Sequence, residues 1–565
     1  MRGPMTAPGY WTRRFFAASI AIGALSVLLI LHFTGYPFEP WGFWIVEFHL
    51  RTQDLAGAAL LLAILLAAWA APERAGAAAL AAVDAMARHP WRVAAATFVA
   101  LCLGAVFVEH NHPLAQDEYA AVFQSRIFAA GRLTGEFPPD LVGRLVPYMY
   151  LNNFIYGSWQ TGAVASAYWP GFALLLTPFT FLGVPWACNP LLAAAALVAI
   201  ARIAGRLSAD PRAPGWAMLL ALASPAFGAM AITYFSMTAH LLFNALFVWL
   251  LLERTPRRLF FAGVVGSFAL VLHNPVPHAL FAFPWIVWLA LQPQRYRYLG
   301  ALAAGYAVFA LPLGLGWALL LYDIQGDPLY GLFPADGNAL ERIVNFFWGW
   351  HIRMRTALAV PLDGVLEMRI AEGVRLWHWA VPGLPLLAAA GWWLGRRDPR
   401  VLLLGLSLLC TLAGYLFVSF SQGHGWGARY VHPAWAALPV LGAVCLGFVR
   451  GAETEKRLPG YVALLALLSL ALATPLRAVQ IDRYLTTHLA NRPAALPQGR
   501  QVVLVRSYIE TYSADLVQND PFLRQQVWYM LSHGSAADRA LMRSRFPGAR
   551  LVSEDRRGQV WLIAP

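Results

Sequence analysis

The sequence predicts an all-α, polytopic membrane protein followed by a small α/β domain at the C-terminus. Three observations carry this reading. The 565 residues are 59% hydrophobic and only 13% charged, about half the ~25% charged content of a soluble domain. The apolar residues gather into about thirteen runs, most of them near the ~20 residues that a spanning helix needs. After residue 477 these runs stop, and short segments punctuated by turn residues take their place.

Taken in chain order, the first run, 13–34, follows Arg13-Arg14 and lacks a small-residue cleavage site. It reads as an uncleaved first span rather than a signal peptide. Runs at 53–71 and 92–109 come next. A long loop, 109–186, separates them from a dense series at 186–207, 214–232, 237–252, 258–274, 277–292 and 298–321. A second long loop, 322–376, precedes 377–394, 400–419, 432–449 and 459–477. The membrane domain is thus expected over 1–477. The first loop holds its own apolar segment, 168–183. Counting it as a span would move every later basic cluster to the opposite side, so it is expected as a juxtamembrane or re-entrant helix. In the tail, 478–565, residues 501–505 predict a strand. Residues 521–532 predict a helix with Pro521 in its first turn. A second helix is expected at 539–546, and a hairpin pairs 550–553 with 559–563 around Arg557-Gly558. Roughly 65 residues suffice for a small domain that gains stability by docking on the membrane part.

Orientation follows from the basic residues. Arg13-Arg14, Arg88 with Arg92, Arg202 with Arg206, Arg254 with Arg257-Arg258, Arg295 with Arg297, Arg396-Arg397, and Arg450 with Lys456-Arg457 all fall on one side. By the positive-inside rule the N-terminus is cytoplasmic, and the long loops and the C-terminus are extracytoplasmic. A net charge of +13 distributed in this way reports topology and excludes a nucleic-acid partner. Lys456 is the single lysine among 42 basic residues, the mark of a GC-rich, bacterial genome. The expected location is therefore the bacterial inner membrane. Cys102, Cys188, Cys410 and Cys445 show neither zinc nor disulfide spacing.

The chemistry-bearing candidates lie in the loops. Asp117 and Glu118 form an adjacent carboxylate pair just past the third span. Charged groups held at a membrane are functional candidates by default. From Glu118 to Arg132 the apolar positions fall on one helical face, which predicts a helix lying flat in the interface. Asp117 also suits the N-cap of that helix, a role compatible with chemistry because a cap fixes where the carboxylate points. Arg429 and Tyr430 end a Gly423-His424-Gly425-Trp426-Gly427-Ala428 turn before the span at 432–449. Arg429 could be a snorkelling anchor or a phosphate-binding fork. His240, His273 and His278 each stand near an extracytoplasmic helix end, in no zinc pattern, so no metal or other cofactor is expected; a divalent cation is the less favoured alternative. The aromatic stretches at 326–330 and 346–351 read first as an interfacial belt.

The loop at 116–133 resembles the first external loop of the C-type (GT-C) glycosyltransferases. It is most similar to the bacterial family 39 relatives of protein O-mannosyltransferases and of lipid A aminoarabinose transferase. The resemblance continues through Tyr168-Trp169-Pro170-Gly171 and the stretch from Trp186 to Leu192. It extends through Ser224-Pro225, Ser236-Met237-Thr238-Ala239-His240 and Gly427-Ala428-Arg429-Tyr430. It implies a GT-C fold and an inverting transfer of a sugar from a polyprenyl-phosphate donor. The acceptor would be a glycan, lipid or protein on the outer face of the membrane. Asp117 matches the family's catalytic acidic residue, which acts as general base on the acceptor hydroxyl, and Glu118 is its neighbour. Glu136 or Asp140 could supply the second acidic residue that relatives carry. His273 departs from the family, which often has Arg there. Two other readings are a transporter or flippase of a lipid-linked sugar and a non-catalytic envelope scaffold. Acidic residues are concentrated in loops rather than span centres, which favours surface chemistry over transport.

Overall fold

A computed structural model describes residues 9–34, 43–325, 331–358, 360, 364–450, 457–508 and 512–563. The 326–330 stretch and Lys456 lie outside the described residues. The chain is a multi-pass helical bundle capped at one end by a mixed layer of loop and tail. Each expected span corresponds to a helix or a bent helix pair. Among the described residues, seven helices are long and apolar enough to cross a membrane: Tyr10–Phe33, Ile45–Ala70, Pro90–Phe107, Pro185–Leu207, Arg295–Gln325, Pro399–Leu416 and Arg457–Leu489. The pair Ala213–Leu222 and Pro225–Ala231 would make an eighth, bent by 68°. The bend falls at Ser224, whose ψ of 110° is the extended conformation that a following proline imposes. The remaining expected spans are helices of 12 to 15 residues. Small residues let these helices pack closely. Gly263 and Gly305 face each other where Pro256–Leu270 crosses Arg295–Phe309, and a Cβ on either would collide with the other's backbone.

The first loop contains the helix Gln116–Ala129 and a three-stranded antiparallel sheet of Gly135–Glu136, Ala163–Ser166 and Ile155–Gly157. Its apolar segment forms the 11-residue helix Gly171–Phe181. At ~1.5 Å per residue this is about half a bilayer core. The flat interfacial placement expected for the first helix is not what forms. Gln116, Glu118, Tyr119, Ala120, Val122, Phe123, Gln124, Ser125 and Ile127 are all buried. Helix Gly171–Phe181 packs on one side. On another, Tyr119, Phe123 and Ile127 share an apolar core with Val502, Leu504, Met530 and Trp561 of the tail.

The last span runs on past residue 477 to Leu489 and delivers the tail domain. Its four-stranded sheet has the order Val527–Leu531, Gln501–Val505, Gly558–Leu562, Arg550–Asp555, with the first pair parallel and the others antiparallel. The strand at 501–505, the hairpin and the second helix (Ser535–Arg545) form where expected. The helix expected at 521–532 does not. Val527-Trp528-Tyr529-Met530-Leu531 forms a strand, because β-branched and aromatic side chains suit the pleated surface beside Gln501–Val505.

Candidate active site

Asp117 occupies the second position of helix Gln116–Ala129 rather than its N-cap, which is Ala115. Glu118 takes the capping work. Its Oε2 accepts hydrogen bonds from the backbone N–H of Leu114 (2.9 Å) and Ala115 (3.2 Å). Its Oε1 accepts one from the N–H of Tyr234 (2.7 Å), in the turn between two membrane helices. The first two bonds satisfy donors at the helix start, and the third staples the helix to the bundle. They leave Asp117 pointing the other way. Burial, then the Asp117 charge, raises the Glu118 carboxyl to about 8 against the pull of its backbone donors. Glu109 lies close enough to interact, is raised further by burial and by Glu118, and takes a hydrogen bond from Trp426 Nε1 at 3.3 Å.

Asp117 Oδ2 accepts a hydrogen bond from Arg429 Nη1 at 2.7 Å, and both side chains are about nine-tenths buried. Arg429 is held from several sides. Its backbone N–H donates to Gln422 Oε1 (2.9 Å), and its Nη2 donates to the Gln422 carbonyl. Its guanidinium lies 4.4 Å from the Phe235 ring centre and 5.6 Å from that of Tyr430. Its Nε has no hydrogen-bond partner among the described residues. The preceding turn needs its glycines. Gly427 has φ +58° with the Trp379 side chain packed against it, a conformation that L side chains rarely adopt. Tyr430 stacks on Tyr415 at 4.8 Å. Around the ion pair, Tyr150, Tyr168, Tyr430 and Tyr512 are half-buried. The arrangement is a carboxylate beside a desolvated guanidinium with a spare donor, ringed by phenols.

No family model matches the chain, and no curated protein matches it. Among solved structures, the chain is similar to ArnT from Cupriavidus metallidurans bound to undecaprenyl phosphate. The match covers 83% of this chain and 98% of that one, with a TM-score of 0.50 and 14% identity. The fold is GT-C. The apo form of the same ArnT matches with a TM-score of 0.47, 14% identity, and 83% and 99% coverage.

Within this GT-C fold the other expected residues are scattered. The backbone of Trp169, Gly171 and Phe172 docks on the carbonyls of His273, Val271 and Leu272, and the His273 ring stacks on Tyr168 at 3.7 Å. His273 therefore joins the phenol ring around the ion pair. His240 is fully buried, with neither ring nitrogen hydrogen-bonded among the described residues. His278 bridges Asn244 Oδ1 and Tyr306 Oη, both at 2.7 Å. Asn244 in turn donates to the Pro433 carbonyl at 2.9 Å, so His278 braces the helix turn behind Arg429. Glu136 and Asp140 are not gathered into the site. Both are exposed; Glu136 lies 3.9 Å from Arg132, and Asp140 pairs with Arg545 at 3.1 Å. Asp140 thereby ties the first loop to the tail. Arg353 donates to the Tyr156 hydroxyl (2.7 Å) and the Asn152 carbonyl (3.2 Å).

Two groups escaped the sequence reading. Asp515 of the tail is buried beside the ion pair. Asp54 lies inside helix Ile45–Ala70, fully buried, between Arg375 Nε (3.2 Å) and Arg477 Nη2 (3.1 Å). A π-turn at Leu50–Asp54 frees the Gln53 carbonyl to accept from Arg477 and Gln480, both at 3.0 Å. Arg375 Nη2 also donates to the Gly425 carbonyl at 3.2 Å, which links this cluster to the turn that carries Arg429. Asp54 stands second in the apolar run expected at 53–71, and nothing local announces its partners.

Proposed function

We propose that this protein is an inverting glycosyltransferase that moves a sugar from a polyprenyl-phosphate donor to an acceptor hydroxyl on the outer face of the bacterial inner membrane. The observation that carries the reading is the Asp117–Arg429 pair with its spare Nε. The fold, shared with a protein bound to undecaprenyl phosphate, supports it. In the reaction Asp117 takes the proton of the acceptor hydroxyl. The acceptor oxygen forms a bond to the anomeric carbon from the face opposite the phosphate. The anomeric carbon–oxygen bond to phosphate breaks, and its electron pair leaves with polyprenyl phosphate. Arg429 stabilises the charge that develops on that phosphate, through Nε and the Nη1 that Asp117 relinquishes on protonation. Arg suits this task because its planar fork matches phosphate oxygens.

The test uses purified protein, membrane extract as acceptor source and a panel of radiolabelled polyprenyl-phosphate sugars. Wild type should transfer label and Asp117→Asn should not; equal transfer by both removes Asp117 from the mechanism. Arg429→Ala should lose on the order of 10²-fold or more in rate, the scale of one lost transition-state donor. An unchanged rate returns Arg429 to an anchoring role. Among the described residues no three His, Cys, Asp or Glu side chains are grouped to hold a metal ion. We expect transfer to persist in EDTA, and its abolition, with rescue by a divalent cation, would refute the metal-free reading.

A further inference from the structure

The tail domain reaches the ion pair through a short turn, Ser513–Leu516. The Asp515 carbonyl accepts from the side-chain amide of Gln116, the residue before Asp117, at 3.2 Å. The Asp515 side chain is buried and close enough to Tyr150, Asp117 and Arg429 to interact with all three. It forms no ion pair with any Arg or Lys among the described residues. A carboxyl buried without a cation is costly to keep, and neither step above uses it.

A second observation shows what it faces. His424, in the Arg429 turn, is 2% exposed. Its Nδ1 has no hydrogen-bond partner among the described residues and lies 4.0 Å from Asp515 Oδ2. That separation is too long for a direct bond, so each group keeps hydrogen-bonding capacity that one shared hydroxyl could meet. The other ring nitrogen, Nε2, is 3.5 Å from the Tyr484 hydroxyl. Tyr512 packs edge-on against His424 at 4.2 Å and holds φ +47°. A bulky residue in that region is strained, and such strain gathers at functional sites.

We infer that Asp515 and His424, flanked by Tyr150 and Tyr512, form a hydroxyl-binding subsite for a substrate saccharide beside Asp117, so that the tail domain completes the active site. The inference rests on the transferase reading. A carboxyl and an imidazole together offer one hydroxyl both a donor and an acceptor. The tyrosines add apolar faces with polar tips, which suit a sugar ring. The saccharide is either the transferred sugar or a sugar of the acceptor.

The test compares full-length wild type with Asp515→Ala and Asp515→Asn in nanodiscs. It measures binding of undecaprenyl phosphate and KM for the radiolabelled donor and for the membrane-extract acceptor. Undecaprenyl phosphate should bind all three proteins equally. Asp515→Ala should raise one KM by about tenfold, the factor for one lost hydrogen bond, with kcat changed far less. Asp515→Asn, which keeps a donor and an acceptor, should restore most of it. A raised donor KM assigns the transferred sugar, and a raised acceptor KM the acceptor. Unchanged KM values in both variants overturn the inference, leaving the gap to a water. Equal loss of melting temperature and of undecaprenyl phosphate binding overturns it in favour of a purely structural Asp515. If wild type itself neither binds the lipid nor transfers, the transferase reading has failed, a result distinct from either.

Discussion

At the scale of single residues, the site separates two carboxylates that are neighbours in sequence. Helix geometry turns consecutive side chains roughly 100° apart, so Glu118 faces the backbone donors and Asp117 faces Arg429. The adjacent pair was legible as a candidate site, but its division of labour was not, because the Tyr234 N–H that claims Glu118 comes from a distant turn. Burial makes a further residue-scale prediction. Burial, opposed by the nearby Tyr150 hydroxyl and reinforced by Asp117, raises the Asp515 carboxyl to about 8, against roughly 3.9 in an unfolded chain. Below about pH 4 both states hold the proton, and well above 8 neither does. Between these limits the folded chain binds more protons, so this group's contribution to stability falls as pH rises. Wild-type melting temperature should therefore drop relative to that of Asp515→Asn between pH 5 and pH 8.5. A difference that stays constant over that range would mean that the carboxyl titrates normally.

At the scale of elements, helices were readable wherever a run of apolar residues was long, since hydrophobicity alone commits such a run to the bilayer. Errors arose where a tertiary partner decides. Pro521 marks a plausible helix start, yet 527–531 pairs with 501–505 in the sheet. The amphipathic look of 118–132 pointed to an interface, yet the tail and helix Gly171–Phe181 cover both sides. The clearest case is Asp54, whose partners stand more than three hundred positions away. The Trp379 indole also donates to Asp54 at 2.8 Å, and the Arg477 guanidinium lies over the Trp379 ring at 4.1 Å. This cluster locks three elements: helix Ile45–Ala70, helix Val365–His378 and the last span. Removing the carboxylate would strand two buried guanidiniums, a loss of about 3–5 kcal/mol for one broken buried pair. Asp54→Ala should thus lower the melting temperature of the solubilised protein markedly. It should also weaken undecaprenyl phosphate binding, because Arg375 holds the Gly425 carbonyl of the Arg429 turn. Wild-type values for both would show the cluster to be dispensable.

At the scale of the whole molecule, the tail is a wall of the first loop rather than a domain tethered beyond the membrane. The Tyr119 hydroxyl accepts from the Asn519 N–H (2.6 Å) and donates to its carbonyl. Arg144 pairs with Asp538 at 2.8 Å, with the carboxylate 1% exposed. The Glu136 N–H donates to the Pro521 carbonyl at 2.9 Å. Helix Gln116–Ala129, which aims Asp117, is therefore gripped between bundle and tail, and its orientation depends on both. A charge placed in their common core separates this arrangement from one in which the tail merely recruits partners. Leu504 is fully buried there, and Leu504→Asp in the full-length chain would bury an unpaired carboxylate and release the tail. On the proposed function, the bundle, with Arg429 held by Gln422 and the Asp54 cluster, should still bind undecaprenyl phosphate as wild type does. Transfer should be lost, and the 109–186 loop should become sensitive to protease. A recruiting tail predicts the opposite: normal transfer from purified donor to a soluble acceptor and an unchanged proteolytic pattern, because Asp117 would be positioned by the membrane helices alone.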